Sequence, residues 1–211
     1  MTSEKAYIVV EDGDNHYLVE EPSVPYGNPV FTYADYLRFK IEERLELYRG
    51  RIFKMSAPNR SHQSISREIF GKLYIFLQKQ SCKVFAAPFD VRLPVKNKKK
   101  DNEITTVVQP DIMVVCDANK LDDRGICGAP ELVVEILSPG NSKKEVSNKF
   151  DLYEEAGVLE YWIVNPEMKT IIIYSLMNQK FIGSRFYTVD NVIKSMVVEG
   201  FSMDVKDVFE E

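Results

Sequence analysis

The chain has 211 residues, of which 45% are hydrophobic, 28% charged and 11% aromatic. This composition is typical of one globular domain and argues against a disordered, collagen-like or coiled-coil protein. The apolar runs are short, as in Ile112–Cys116, whereas a membrane helix needs about 18 apolar residues or more. No signal segment opens the chain, so we expect a cytoplasmic protein that does not enter the membrane.

The cysteines exclude an obvious metal or disulfide framework. Cys82, Cys116 and Cys127 are an odd number and contain no CxxC pair, which predicts free thiols in a reducing cytosol. Together with only two histidines, they form no ligand cluster of the kind that zinc requires.

The net charge of -5 is concentrated at one end of the chain. Residues 1–30 hold six acids and one base, and acids and bases balance in residues 31–211. We therefore predict an acidic extension over 1–30 and a main domain over 31–211. A neutral domain can carry a basic face, but it predicts weaker non-specific DNA affinity than a strongly basic domain has.

The sequence pattern of the N-terminal extension predicts a β-hairpin. Residues 6–10 and 16–20 are strand-like and flank a polar turn, and a Pro/Gly-rich stretch over 22–29 separates them from the main domain. Thr32 and Asp35 then predict the capped start of a helix that runs to about Glu43.

Two strands and a longer helix are expected next. Leu45–Met55 indicates two strands that turn at Arg49–Gly50, and Ser61–Lys79 predicts a helix. The apolar residues of this second helix recur with the helical period: Ile65, Ile69, Leu73, Phe76 and Leu77.

The centre and C-terminal part of the chain are rich in strands. Lys83–Val95 alternates between apolar and polar residues, and Ile104–Cys116 and Glu131–Leu137 are continuously apolar, as in strands buried on both faces. A capping box at Ser142 and a stop at Gly157 predict a helix over 143–156. Further strands and a closing helical turn capped by Asp204 are predicted after it: Leu159–Asn165, Thr170–Leu176, Lys180–Val189 and Val192–Val198.

Two carboxylates violate the apolar pattern of the central strands. Glu135 lies inside Leu132–Leu137, and Asp111 stands at the start of the apolar run that begins with Ile112. A buried carboxylate is costly unless a cation or hydrogen-bond donors compensate it. If the two strands pair, the acids converge and favour a hard cation such as Mg²⁺. The alternative is that Glu135 meets an arginine or backbone donors and that Asp111 caps a turn.

Lys149 is a third departure from the pattern. It lies roughly 65° from the centre of the apolar stripe of its helix, at the edge of the buried face. Such a lysine can reach toward the strand that ends at Leu137, or it can extend its ammonium into water with only its stem buried. Lys143 and Lys144 project more freely from the first turn of the same helix.

An ordered set of motifs resembles one family. The motifs are Glu46–Gly50, Ala57–His62, Ala87–Leu93, Gln109–Asp111, Pro130–Pro139 and Lys149–Trp162. Over about 33–209 the chain resembles the Uma-two family of endonucleases, within the restriction-endonuclease-like PD-(D/E)XK superfamily. The resemblance implies an α/β (α+β) fold, in which helices flank a central mixed β-sheet with a divalent-metal phosphodiesterase centre at one edge.

The resemblance also implies roles for individual residues. Asp111 matches the superfamily's PD acid, Glu135 its central acid, and Glu46 an acid that this family carries ahead of the core. The simple superfamily pattern expects a lysine two residues after Glu135, where this chain has Leu137. Family members of this kind supply the lysine from the next helix, which makes Lys149 the candidate.

The remaining matched positions leave alternatives open. His62 could donate to a phosphate or cap the start of its helix, and Asp90 could form a structural ion pair or help at the metal. Three aromatic residues are assigned to the core rather than to base stacking: Tyr153, Tyr161 and Trp162. The lysines expected to grip phosphates are Lys96, Lys98, Lys99 and Lys100 on a hairpin tip, with Lys143 and Lys144.

The predicted function is metal-dependent hydrolysis of nucleic acid, DNA rather than RNA. Asp111, Glu135 and the Ile136 carbonyl are expected to bind Mg²⁺ or Mn²⁺, Glu46 to support a second ion or its waters, and Lys149 to act as a fixed cation. No organic cofactor is expected, and a homodimer is predicted because two symmetric sites can cut both strands. The alternative is a catalytically silent module that binds nucleic acid or oligomerises; a two-carboxylate glycosidase would give Lys149 no task.

Overall fold

The computed structural model describes residues 7–12, 15–20, 30–39, 44–55, 57–94, 100–138 and 143–210. These ranges form a mixed α+β protein with two six-stranded sheets, in agreement with the predicted fold class. Among the described helices, none combines the length and the apolar character that crossing a bilayer would require.

The N-terminal elements partly match the prediction. β1 (Tyr7–Asp12) and β2 (Asn15–Glu20) form the expected antiparallel hairpin. α1 (Tyr33–Tyr36) begins where predicted, with the Asp35 carboxylate accepting hydrogen bonds from the backbone and hydroxyl of Thr32. The predicted extension of this helix to Glu43 is wrong over 37–39, which are not helical, and residues 40–43 lie outside the described ranges.

The first large sheet has the strand order β4-β3-β7-β6-β10-β9. In chain order its strands are β3 (Leu45–Tyr48), β4 (Arg51–Lys54), β6 (Val91–Arg92), β7 (Val107–Val108), β9 (Leu121–Asp122) and β10 (Gly125–Cys127). β6 and β10 pair in parallel, and the other described pairs of this sheet are antiparallel.

The second sheet has the order β14-β13-β12-β11-β8-β5. Its strands are β5 (Lys83–Ala86), β8 (Ile112–Val115), β11 (Leu132–Ile136), β12 (Glu160–Asn165), β13 (Thr170–Met177) and β14 (Lys180–Gly183). β11 and β12 are parallel, and the other pairs are antiparallel. The remaining elements are α2 (Arg60–Leu77), α3 (Lys143–Ala156), β15 (Val192–Lys194), β16 (Ser202–Asp204) and α4 (Val205–Phe209).

Two predicted strands are each divided between the sheets. Lys83–Val95 breaks at Ala87–Pro88, so that β5 joins the second sheet and β6 the first. Ile104–Cys116 breaks near Pro110, with β7 in the first sheet and β8 in the second. Proline has no N–H to donate to a strand ladder, and both crossings contain one. The single continuous strands expected from the alternation are therefore wrong at these positions.

The second sheet is covered on both faces. Leu132, Val134 and Ile136 of β11 pack with the apolar stripe of α2, whereas Val133 packs with Leu152 of α3. Side chains alternate between the faces of a strand, so Glu135 lies on the same face of β11 as Val133. The α3 side of the sheet is therefore the side on which this buried carboxylate must find its partners.

The prediction of three free thiols is wrong for two of them. Cys82 and Cys116 form a disulfide, and Cys127 is free. β5 and β8 pair antiparallel with Lys83 opposite Val115, so the next residues outward, Cys82 and Cys116, stand opposite each other. Because the two cysteines are 34 residues apart in the sequence, the sequence alone does not show that they are close.

A second buried carboxylate, Glu160, anchors the segment after β15. Glu160 has no exposed surface, and its side chain accepts hydrogen bonds from the Trp162 indole N–H at 2.6 Å and the backbone N–H groups of Met196 at 2.7 Å and Val197 at 3.3 Å. Trp162 is in the core, as predicted, and so are Tyr153 and Tyr161.

Glu160→Ala should lower the free energy of unfolding by about 2–3 kcal/mol, because it leaves an indole and two backbone donors without an acceptor. Urea unfolding followed by circular dichroism measures this loss. Fluorescence of Trp162, the single tryptophan, reports the broken indole contact separately. Glu167→Ala in the exposed turn after β12 is the matched control, and an equal loss in both variants would contradict the anchoring role of Glu160.

Candidate active site

Asp111 and Glu135 lie at the same end of two neighbouring strands. β8 and β11 pair antiparallel with Ile112 opposite Val134, and continuing this register by one residue sets Asp111 opposite Glu135. The backbone N–H of Ile136 donates to Oδ2 of Asp111 at 2.8 Å. The structure thus brings together the two acids that break the apolar pattern.

The carboxylate of Glu135 is held by two side chains of α3. Lys149 Nζ lies 2.9 Å from Oε1 of Glu135, and the Tyr153 hydroxyl donates to the same oxygen at 2.6 Å. The side chain of Lys149 is 16% exposed and that of Glu135 10%. Of the two alternatives for Lys149, the structure shows the ammonium directed at the sheet rather than extended into water.

Glu46 joins these residues from the first sheet. Its Oε1 lies 3.4 Å from Lys149 Nζ and accepts a hydrogen bond from the backbone N–H of Gln109 at 2.9 Å. Gln109 precedes Pro110 at the crossing between the sheets, so the crossing itself sets Glu46 beside the other acids. We call Glu46, Asp111, Glu135 and Lys149 the acid–lysine cluster.

His62 approaches the cluster from the first turn of α2. The N-cap of α2 is Asn59, whose side chain accepts a hydrogen bond from the His62 backbone N–H at 2.8 Å. The imidazole is directed at Asp111, with Nε2 3.1 Å from Oδ2, and it is 9% exposed. Asn59 rather than the His62 side chain therefore caps the helix.

The cluster perturbs the ionisation of its members. Burial raises the pKa of Glu135 to about 7; Lys149 opposes this shift, and the charges of Asp111 and Glu46 add to it. Burial alone would lower the pKa of Lys149, but the Glu135 and Glu46 carboxylates raise it well above its ordinary value. Burial also lowers the pKa of His62, and its hydrogen bond with Asp111 and that residue's charge outweigh this effect, so the pKa is raised.

Asp90 is linked to the cluster through a hydrogen-bond network with Gln109. Its Oδ1 accepts from Gln109 Nε2 at 2.9 Å and from the Tyr36 hydroxyl at 3.4 Å. Arg44 donates to Oε1 of the same glutamine at 3.0 Å. Asp90 thus holds the residue whose backbone supports Glu46.

The lysines predicted to bind nucleic acid fall largely outside the described part of the chain. Lys96, Lys98 and Lys99 lie in the undescribed range 95–99, and Lys100 is exposed beside it. Lys143 and Lys144 open α3, but their side chains are not described. Their expected contacts with phosphates stay predictions.

The carboxylates of the cluster are oxygen ligands of the kind that hard divalent cations prefer. Within the described residues, no group of three or more His, Cys, Asp and Glu side chains is arranged to hold a metal ion. Hydrogen bonds from described residues reach Oδ2 of Asp111 and Oε1 of Glu135 and Glu46, and among the described residues none reaches the second oxygen of these carboxylates. Mg²⁺ typically uses one or two carboxylates, with waters and substrate phosphates as further ligands.

Two residues of the site are not identified by the sequence patterns. Those patterns assign Tyr153 to the core only, although a buried tyrosine hydroxyl needs a partner, and its place one turn after Lys149 could have indicated a shared target. Gln109 acts through its backbone N–H and its amide, which no local pattern reveals.

Comparisons with known proteins identify a family and a fold to which this chain is similar. The model of the Uma2 family, described as "Putative restriction endonuclease", matches residues 33–206. The chain is 25% identical over 160 residues to "Uncharacterized protein slr1290" of Synechocystis sp., covering 74% of this chain and 79% of that protein. A crystal structure of "a putative nuclease belonging to DUF820" from Anabaena variabilis superposes with a TM-score of 0.66 at 19% identity, covering 85% of this chain and 97% of the other.

Proposed function

The chain belongs to the Uma2 family, and on this premise we propose that it hydrolyses phosphodiester bonds of nucleic acid, DNA rather than RNA, with Mg²⁺ or Mn²⁺ as cofactor. One observation carries the proposal: Lys149 of α3 lies 2.9 Å from Glu135 and 3.4 Å from Glu46, beside Asp111. Two buried carboxylates in contact with one ammonium, with a third carboxylate at the end of the neighbouring strand, are costly to assemble for stability alone, and such clusters are typical of functional sites.

Asp111 and Glu135, with the Ile136 carbonyl, would hold the cation, and Glu46 would hold a second ion or its waters. A cation bound there supplies Lewis-acid chemistry, making water a stronger acid and neutralising charge on the phosphoryl oxygens. The protein keeps the ligands in place: Tyr153 holds Oε1 of Glu135, and Gln109 holds Oε1 of Glu46.

Lys149 would act as a fixed cation at the reacting phosphate. Its ammonium remains charged because two carboxylates raise its pKa, so it can orient the attacking water or stabilise negative charge that grows in the transition state. Water would attack phosphorus, and the bond from phosphorus to the 3′ oxygen would break. The products are a 5′-phosphate and a 3′-hydroxyl.

Substrate binding and assembly complete the proposal. Lys96, Lys98, Lys99 and Lys100, with Lys143 and Lys144, would contact backbone phosphates, which position a nucleic acid without reading its sequence. A homodimer would carry two such sites, one for each strand of a duplex.

Metal removal tests the proposed activity. Purified protein should cleave supercoiled or linear DNA with Mg²⁺ or Mn²⁺ and should lose cleavage in EDTA, and added cation should restore it. RNA of matched length and single-stranded DNA show the substrate preference. Intact substrates of every kind with either cation would contradict the proposal.

A silent module of the same fold is the second candidate, because the Lys149 ammonium already compensates the charge of Glu135 without a metal ion. Calorimetric titration with Mn²⁺ separates the two functions. A catalytic site should show binding that Asp111→Asn removes, and a silent site should show none.

A further inference from the structure

His62 is the residue near the acid–lysine cluster whose role remains unassigned. Its Nε2 is directed at Asp111 and its Nδ1 is buried, so neither ring nitrogen is free to meet a phosphate, and Asn59 already caps α2. Among the described residues, its Nδ1 is the one buried side-chain nitrogen or oxygen without a hydrogen-bond partner. Buried polar atoms nearly always have a hydrogen-bond partner, so an orphan atom of this kind calls for an explanation.

The contacts of Asp111 determine whether His62 donates or accepts the hydrogen bond between them. Oδ2 of Asp111 accepts the Ile136 backbone N–H at 2.8 Å and lies 3.1 Å from His62 Nε2. The ionised carboxylate that would bind a cation has no hydrogen to donate, so Nε2 meets it favourably only if Nε2 bears hydrogen. His62 is therefore a donor to Asp111.

The two donors reach one oxygen of Asp111 from two separate elements. The Ile136 N–H belongs to β11 and the imidazole to α2, so rotation of the carboxylate would break both hydrogen bonds. This arrangement fixes Oδ2 by hydrogen bonds within the protein and leaves Oδ1 as the oxygen that would bind a cation. The residue that carries the donor is held at the start of α2, because its backbone N–H donates a hydrogen bond to the Asn59 side chain.

We infer that His62 is a positioning residue that holds the Asp111 carboxylate in the orientation needed to bind the divalent cation. This inference rests on the proposed function, since it assigns Asp111 as a metal ligand. Hydrogen-bond partners of metal ligands orient them, and their loss typically weakens metal affinity by about 10–100-fold.

Mn²⁺ titration calorimetry of two near-isosteric variants tests the inference without an activity assay. The amide nitrogen of glutamine reaches about as far as Nε2 of histidine, and that of asparagine about as far as Nδ1. His62→Gln should therefore keep the donor to Asp111 and bind Mn²⁺ close to the wild-type Kd. His62→Asn and His62→Ala should raise the Kd by about 10–100-fold.

A double-mutant cycle identifies Asp111 as the residue through which His62 acts. In an Asp111→Asn background, His62→Asn should not change whatever weak Mn²⁺ binding is left, because the ligand that it positions is already gone. Thermal unfolding of each variant without metal shows whether the fold persists. If His62→Ala does not fold, the Gln and Asn pair still decides the outcome.

The results distinguish this inference from the proposed function. If Asp111→Asn removes Mn²⁺ binding while all His62 variants bind like wild type, the metal site stands and the role of His62 is overturned. An equal loss in the Gln and Asn variants would likewise overturn the donor role. If the wild type shows no Asp111-dependent Mn²⁺ binding, the metal site and the His62 inference fall together.

Discussion

Asp111→Asn and Glu135→Gln are each expected to lower the rate of metal-dependent cleavage by about a thousandfold or more. Either change removes the negative charge that attracts the cation and keeps the shape of the side chain. The asparagine oxygen can still accept the Ile136 N–H, and the glutamine oxygen the Tyr153 hydroxyl, so the fold should persist. Cleavage of labelled DNA under single-turnover conditions measures the rate.

Asp123→Asn is the matched control for these variants. Asp123 is an exposed acid in the turn before β10, so its replacement removes the same charge away from the cluster and should leave the rate unchanged. Cleavage that survives in both Asp111→Asn and Glu135→Gln would show that the activity arises elsewhere, in a contaminating nuclease or a different site.

Lys149→Met is expected to reduce both stability and cleavage. Methionine keeps most of the volume but leaves Glu135, at 10% exposure, without its cation and beside two other acids. Removing one partner of a buried pair costs about 3 kcal/mol, and losing a charge at the reacting phosphate costs about 100-fold or more in rate. Urea unfolding and the cleavage assay measure the two effects separately.

A second substitution separates the structural from the catalytic role of Lys149. Lys149→Met combined with Glu135→Gln should recover most of the stability and no cleavage, because the carboxylate closest to Lys149 is then neutral and Glu46 keeps its hydrogen bond from the Gln109 N–H. Lys206→Met is the control, since Lys206 is 65% exposed and pairs with Glu210 at the surface, where an ion pair contributes little. Unchanged stability in Lys149→Met would contradict the contact with Glu135.

The helices that bear on the site were largely predictable. The periodic spacing of Ile65, Ile69 and Leu73 predicts α2, and all three are buried. The limits predicted for α3, 143–156, agree with Lys143–Ala156, because Gly157 takes a positive φ of 86° that favours glycine at a helix end. Local periodicity and capping chemistry lie within one element, so a sequence can reveal them.

The division of the strands was not predictable in the same way. The alternation over Lys83–Val95 suggests one strand, yet β5 and β6 belong to different sheets. The same holds on either side of Pro110, where the crossing places Gln109 against Glu46. Alternation reports which residues are buried, and it does not report the sheet that buries them.

The resemblance to a family pointed to Glu46. By itself, the sequence determined the rest of the chemical character of this protein: carboxylates at positions 111 and 135 and a lysine at the edge of a buried helix face. It did so because a charge in an apolar element is costly and therefore visible in a local pattern. Only the tertiary structure decided the partners, namely His62 on Asp111, Tyr153 on Glu135 and the buried donors on Glu160. These contacts depend on strand register and on how helices pack against the sheet, which arise between segments that are distant along the chain.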